Sequence, residues 1–75
     1  MERKEGRIGE PQEYVEFDLG KKSTIAQRSG DWWIVYLSWN GKNAPIRTLH
    51  STKDRAQAIF AAEVAALALM KDAQL

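Results

Sequence analysis

The stretch Trp32 to Trp39, WWIVYLSW, decides how this chain folds. Its density of aromatic and β-branched side chains fits a pleated, half-buried surface and predicts a strand over 32–39. Alternation sorts the stretch into two faces. Trp33, Val35, Leu37 and Trp39 are wholly apolar and form the expected core face, whereas Trp32, Ile34, Tyr36 and Ser38 form an amphipathic one. Asn40-Gly41 follows at once, a pair that tolerates positive φ in tight hairpin turns. Pro45 suits a strand start or a sheet edge, and Ile46–Leu49 is predicted as the returning partner. If Ile46 and Thr48 turn inward, Arg47 stands outward beside Tyr36.

Working toward the N-terminus, Tyr14 opens a second period-two pattern. Val15, Phe17 and Leu19 share one side, and Tyr14, Glu16 and Asp18 share the other, which predicts a half-buried strand. Gly20-Lys21-Lys22-Ser23 reads as a turn. Thr24–Arg28 reads as a shorter strand that ends at the turn signal Ser29-Gly30-Asp31. Residues 1–12 mix charges with Gly6, Gly9 and Pro11 and have no apolar period; they are expected to form a flexible charged tail. Residues 13–75 then make a single domain.

Toward the C-terminus, Ser51 with Asp54 three positions later resembles a capping box, with Asp in the usual place of Glu or Gln. A helix is predicted from near Thr52 to about Asp72, roughly 30 Å long at the rise of an α-helix. The expected fold class is α+β: a small antiparallel sheet of three to four strands followed by one long C-terminal helix.

That helix is apolar almost all round. Between Ala56 and Met70 its only polar side chains are Gln57 and Glu63. On a helical wheel Ile59, Phe60, Val64, Leu67 and Met70 form a bulky arc, expected to cover the sheet. Ala58, Ala61, Ala62, Ala65 and Leu69 lie on the remaining, finer-grained surface. Two readings fit that surface. It is a homodimer interface, because small side chains let a second helix come close, or it reflects alanine's helix propensity alone. A chain of 75 residues buries only about 60% of its unfolded surface, so association would supplement a marginal core.

Composition limits the chemistry. With 44% hydrophobic and 28% charged residues the chain is foldable rather than disordered. It has no cysteine and one histidine, so disulfides and thiolate or imidazole metal clusters are ruled out, and no cofactor is expected. A net charge of +1 gives no global field toward DNA or membrane. No apolar stretch is long enough to span a bilayer and the opening Met-Glu-Arg-Lys-Glu lacks an apolar leader, so a cytoplasmic location is expected. His50 beside Ser51 suggests a nucleophile and its base only in sequence, since adjacent residues rarely converge. Glu16 and Asp18 read as a solvated strand face rather than an acid–base pair. The protein is expected not to be an enzyme.

Between residues 32 and 53 the charged side chains are Lys42, Arg47 and Lys53, all basic, and they accompany Trp32, Tyr36 and Trp39. Aromatic faces stack on bases and cations neutralise phosphates, so Trp32, Tyr36, Lys42, Arg47 and Lys53 are candidate DNA or RNA contacts. The first functional expectation is a small nucleic-acid-binding accessory protein using the outer sheet face. The alternative is a protein-binding module, such as a phage or mobile-element inhibitor or adaptor, acting through its apolar helix and mixed-charge surface.

Gly30-Asp31-Trp32-Trp33-Ile34-Val35-Tyr36, Asn40-Gly41-Lys42, Arg47, Ser51-Thr52-Lys53 and Ala56 together resemble the N-terminal arm-type DNA-binding domain of phage tyrosine recombinases. The resemblance covers about residues 30–60. It implies a three-stranded antiparallel sheet followed by a helix, with the exposed sheet face in the DNA major groove. It further implies contacts from Tyr36, Lys42 and Arg47, with Lys53 near the backbone.

Overall fold

The structure, a computed structural model, describes residues 1–39 and 44–73. Five strands, β1 (Glu2–Gly6), β2 (Tyr14–Asp18), β3 (Lys22–Ser29), β4 (Trp32–Trp39) and β5 (Ala44–Thr52), precede one helix, α1 (Arg55–Ala73). The strands form one antiparallel sheet in chain order, β1-β2-β3-β4-β5, so every neighbour in sequence is a neighbour in space. The α+β class is as expected, but the sheet has five strands rather than three or four. Among the described residues no helix is long and apolar enough to cross a membrane.

The additional strand comes from the segment expected to be a tail. Glu2–Gly6 pairs along the whole of β2, from Glu2 opposite Asp18 to Gly6 opposite Tyr14. Beyond the backbone ladder its side-chain contacts are ionic and cation–π rather than apolar, which is why hydrophobic periodicity does not reveal it. Lys4 Nζ lies 3.0 Å from Asp18 Oδ2, and the Arg3 guanidinium sits 5.8 Å from the centroid of the Phe17 ring. Opposite charges on neighbouring strands support pairing much as apolar pairs do.

β3 and β4 meet in a two-residue turn, Gly30-Asp31, between the paired Ser29 and Trp32. Gly30 has φ +62°, and the first position of a type II′ hairpin turn demands that conformation. The Asn40-Gly41 turn expected between β4 and β5 lies outside the described residues. β5 is longer than expected and irregular. Val35 pairs with His50 but Tyr36 with Thr48, and Leu37 pairs with Arg47 but Ser38 with Pro45. Leu49 and Ile46 are therefore the extra residues of two bulges. The first bulge lets Leu49 pack on the core.

The helix opens later than expected, and its cap is Asp54. The Asp54 Oδ1 accepts the N–H groups of Ala56 at 2.8 Å and Gln57 at 3.2 Å, while Thr52 Oγ1 accepts the Asp54 N–H. Ser51 remains in β5. One aspartate thus does the work expected of a Ser51–Asp54 box, because its carboxylate reaches two free N–H groups of the first turn. Arg55 fastens this end down. Its guanidinium reaches Glu13 Oε2 at 2.7 Å and lies 5.8 Å from the centroid of the Trp33 ring. Glu13 is buried and stands just before β2, so the pair ties the start of α1 across the sheet.

The helix docks by its alanine side, with Ile59 of the expected bulky arc packed beside it. Ala58, Ala62 and Ala66, spaced four apart, are completely buried against Val15, Phe17, Ala26, Trp33 and Val35. Phe60 is 68% exposed, Val64 46% and Leu67 49%. The reason is steric. The sheet itself carries the bulk, in Phe17 and Trp33, and a close-packed interior puts small side chains opposite large ones. Alanine also lets the helix backbone approach the sheet, so that the buried Thr24 hydroxyl donates to the Ala62 carbonyl at 2.7 Å. Of the expected dimer residues, Ala58 and Ala62 are therefore occupied within the chain's own core, and Ala61, Ala65 and Leu69 are half-buried on its flanks.

Ala62→Leu is expected to destabilise the fold by about 1–3 kcal/mol through overpacking, and Thr24→Val by about 1 kcal/mol through the lost hydrogen bond. Denaturant titration followed by circular dichroism measures both. An Ala62→Leu protein as stable as the parent would contradict this docking geometry.

Candidate nucleic-acid interface

The face of the sheet turned away from α1 is left uncovered by the helix, and strand register determines what it presents. Residues directly opposite on neighbouring strands project to the same side. Tyr14, Gln27, Ile34 and Ser51 form one row, and Glu16, Ile25, Tyr36 and Thr48 form the next. Asp18, Ser23, Ser38 and Pro45 form a third. Trp32 shares this side by alternation along β4 and is 48% exposed.

The face is concave. A hollow of about 630 Å³ is lined by Arg7, Tyr14, Glu16, Ile25, Gln27, Tyr36, Ser38 and Pro45. A second hollow shares Gln27 and Tyr36 with it and adds Pro11, Gln12, Arg28, Ser29, Gly30 and Ile34. A third shares Ser29 and Ile34 with the second and adds Trp32 and Ser51. The three share lining residues and together make a trough beside Trp32, Ile34, Tyr36 and Ser38 of β4. The β1–β2 connection supplies Arg7, Pro11 and Gln12 along its side.

Specific contacts hold the trough's walls. A Cβ at Gly6 would collide with the Tyr14 ring, so glycine there lets the ring lie across the edge strand. The Tyr36 hydroxyl donates to Gln27 Oε1 at 2.9 Å, which fixes both side chains. The two carboxylates that β2 turns to this face have partners. Glu16 Oε2 accepts the hydroxyl of the buried Ser23 at 2.6 Å. Asp18 takes the Lys4 ammonium and the Gly20 N–H. At the far end the Lys53 ammonium sits 5.2 Å from the centroid of the Trp32 ring, a cation held over an exposed π face.

The sequence candidates divide accordingly. Trp32, Tyr36 and Lys53 come together at the trough, and Lys42 lies outside the described residues. Arg47 is opposite Leu37, not Tyr36, so its register places it on the helix side of the sheet. The Leu49 bulge is the cause, since one extra residue reverses the facing of Thr48 and Arg47, which lie between it and the second bulge. Trp39, expected in the core, is exposed at the end of β4 with the Lys22 ammonium 5.0 Å from its ring centroid. Arg7, Tyr14, Ile25 and Gln27 also line the trough, and no aromatic–basic pattern in the sequence points to them. The carboxylates of β2 facing the cations of the first residues were the signal that could have placed Arg7 beside the sheet.

His50 and Ser51 do not converge. Ser51 lies opposite Ile34 on the outer face and His50 opposite Val35 on the other. Among the described residues no cluster of three or more His, Asp or Glu side chains could hold a metal ion. The surface offers stacking, hydrogen bonding and a few cations.

Burial, with a smaller contribution from the Glu16 carboxylate, raises the Tyr36 phenol above its ordinary value of 10.0. The folded state therefore favours the neutral phenol. The resulting stability is complete below pH 10 and is lost as pH rises through the folded-state pKa, because the unfolded chain releases that proton first. Alkaline unfolding curves should be less steep in pH for Tyr36→Phe than for the parent. In Glu16→Gln the Tyr36 phenolate absorbance should appear at lower pH. Identical alkaline profiles for parent and Tyr36→Phe would contradict the raised pKa of this half-buried phenol.

No protein-family model, curated protein or solved structure matches this chain, so what the trough binds is read from its own chemistry.

Proposed function

We propose that this protein is a non-enzymatic nucleic-acid-binding accessory protein that seats a single strand of DNA or RNA in the outer trough of its sheet. The observation that carries the reading is the Trp32 ring, exposed at the end of the trough with the Lys53 ammonium over it and Tyr36 further along the same strand. Stacking on an aromatic ring contributes about 1–3 kcal/mol per base and tolerates any base, since each has a π face. The Gln27 amide N–H groups offer hydrogen bonds, and Arg7, Arg28 and Lys53 offer positive charge along the sides.

Shape favours a single strand over a duplex. The arm-type domains that residues 30–60 resemble place a sheet face in the major groove, which requires a surface that protrudes. A trough flanked by the β1–β2 connection receives a narrow chain instead. The net charge of +1 fits a binder whose affinity comes more from stacking than from released counterions. The alternative role, a protein-binding module, is favoured by a separate observation: the bulky, exposed side of α1. The two roles are compatible because the surfaces lie on opposite sides of the molecule.

Titration with short oligothymidylate should quench tryptophan fluorescence, more weakly as salt rises. Trp32→Ala should lower affinity about 5- to 150-fold, the equivalent of one lost stacked base. Arg47→Ala should leave affinity unchanged, and a duplex of the same length should bind less tightly. Absence of any binding at about 50 mM salt with tens of micromolar protein would remove the proposal.

A further inference from the structure

We infer that the outward face of α1 is a self-association surface, and that its occupant is a second copy of this chain packed with its helix antiparallel. The inference goes beyond the trough and stands or falls separately from it.

Phe60, Val64 and Leu67 lie on the side of α1 opposite the buried Ala58, Ala62 and Ala66. At 100° per residue they form one continuous stripe, and a bulky apolar stripe on the solvent side of a helix calls for a partner. Three observations point to a second copy. The first is charge. Glu63 is the only charged side chain between Ala56 and Met70, so the face offers nothing by which a strongly charged partner would be selected. At its end, antiparallel packing with Phe60 opposite the other copy's Leu67 brings the exposed Lys71 of each chain to the first turn of the other helix. The Asp54 carboxylate caps that turn.

The second observation is area. The chain exposes 5074 Å², against about 4650 Å² for a compact monomer of its mass. That difference of about 400 Å² belongs to the whole chain, and the exposed Phe60, Val64 and Leu67 on α1 contribute to it. The half-buried Glu63 and Met70 lie beside the stripe.

The third is the state of the sheet edges. β1 presents Glu2, Arg3, Lys4 and Glu5, while β5 carries Pro45 and two bulges. Charges, proline and bulges all discourage strand addition, so two copies would not readily join through their sheets. The helix face is what remains for them to share.

Sedimentation velocity on the full chain at about 100 µM, well above the dissociation constant of a standard interface, tests the inference. The parent should sediment at about twice its monomer mass of 8.5 kDa, and Val64→Glu should halve that mass while keeping its circular dichroism spectrum. Leu67→Lys is the second variant, and its mass decides the matter if Val64→Glu unfolds. The sequence has no cysteine, so Val64→Cys reports on one position alone. It should form a disulfide-linked dimer under mild oxidation, whereas Gln12→Cys, beside the trough, should not. A monomeric parent at this concentration would overturn the inference. So would a dimer that survives both charge substitutions and leaves Val64→Cys uncrosslinked.

Discussion

The contact on which the rest of this molecule depends is the approach of an alanine stripe to a sheet that already carries its own bulk. Ala58, Ala62 and Ala66 present little more than backbone to β2, β3 and β4, and the core volume is filled from the other side by Phe17, Trp33, Val15 and Val35. Closeness has a polar consequence. The Thr24 hydroxyl, completely buried, finds its acceptor in the carbonyl of Ala62, inside a helix whose backbone would be out of reach behind larger side chains. A buried hydroxyl without a partner would cost about 1–3 kcal/mol, so the hydrogen bond and the small side chains require one another. Arg55 and Glu13 then fix where along the sheet the helix begins.

Two surfaces follow from that docking. With the small side of α1 turned inward, its large side chains point away from the protein, and the helix becomes apolar on both sides. Because α1 covers only one face of the sheet, the other stays concave and open, with Trp32 and Tyr36 in it. Helix pairing would set two troughs facing outward on opposite sides of the assembly, leaving both accessible.

Much of this was legible in the sequence. Period-two alternation located β2 and β4, since a one-sided core forces every second residue to be apolar, and the Gly30 turn placed β3 beside β4. The outward position of Trp32 and Tyr36 followed from the same alternation. What was not legible falls under three physical causes. β1 has no apolar period, because its pairing is between Lys4 and Asp18 and between Arg3 and the Phe17 ring. The bulge at Leu49 conserves composition while reversing facing, which removed Arg47 from the outer surface. The direction of α1 is not legible either, because a core-facing side chain need not be a large one. Where a sheet supplies Phe17 and Trp33, the complementary helix face is the small one, and only the opposing surface reveals this.

The most direct measurement of that docking is a set of proton–proton nuclear Overhauser effects between α1 and the sheet. The alanine methyls of 58, 62 and 66 should show cross-peaks to the Phe17 and Trp33 rings and to Thr24, with none linking the Phe60 ring to β2, β3 or β4. Cross-peaks from Phe60 or Leu67 to Phe17 and Val35, with the methyl of Ala62 silent toward Thr24, would mean that the helix lies the other way round.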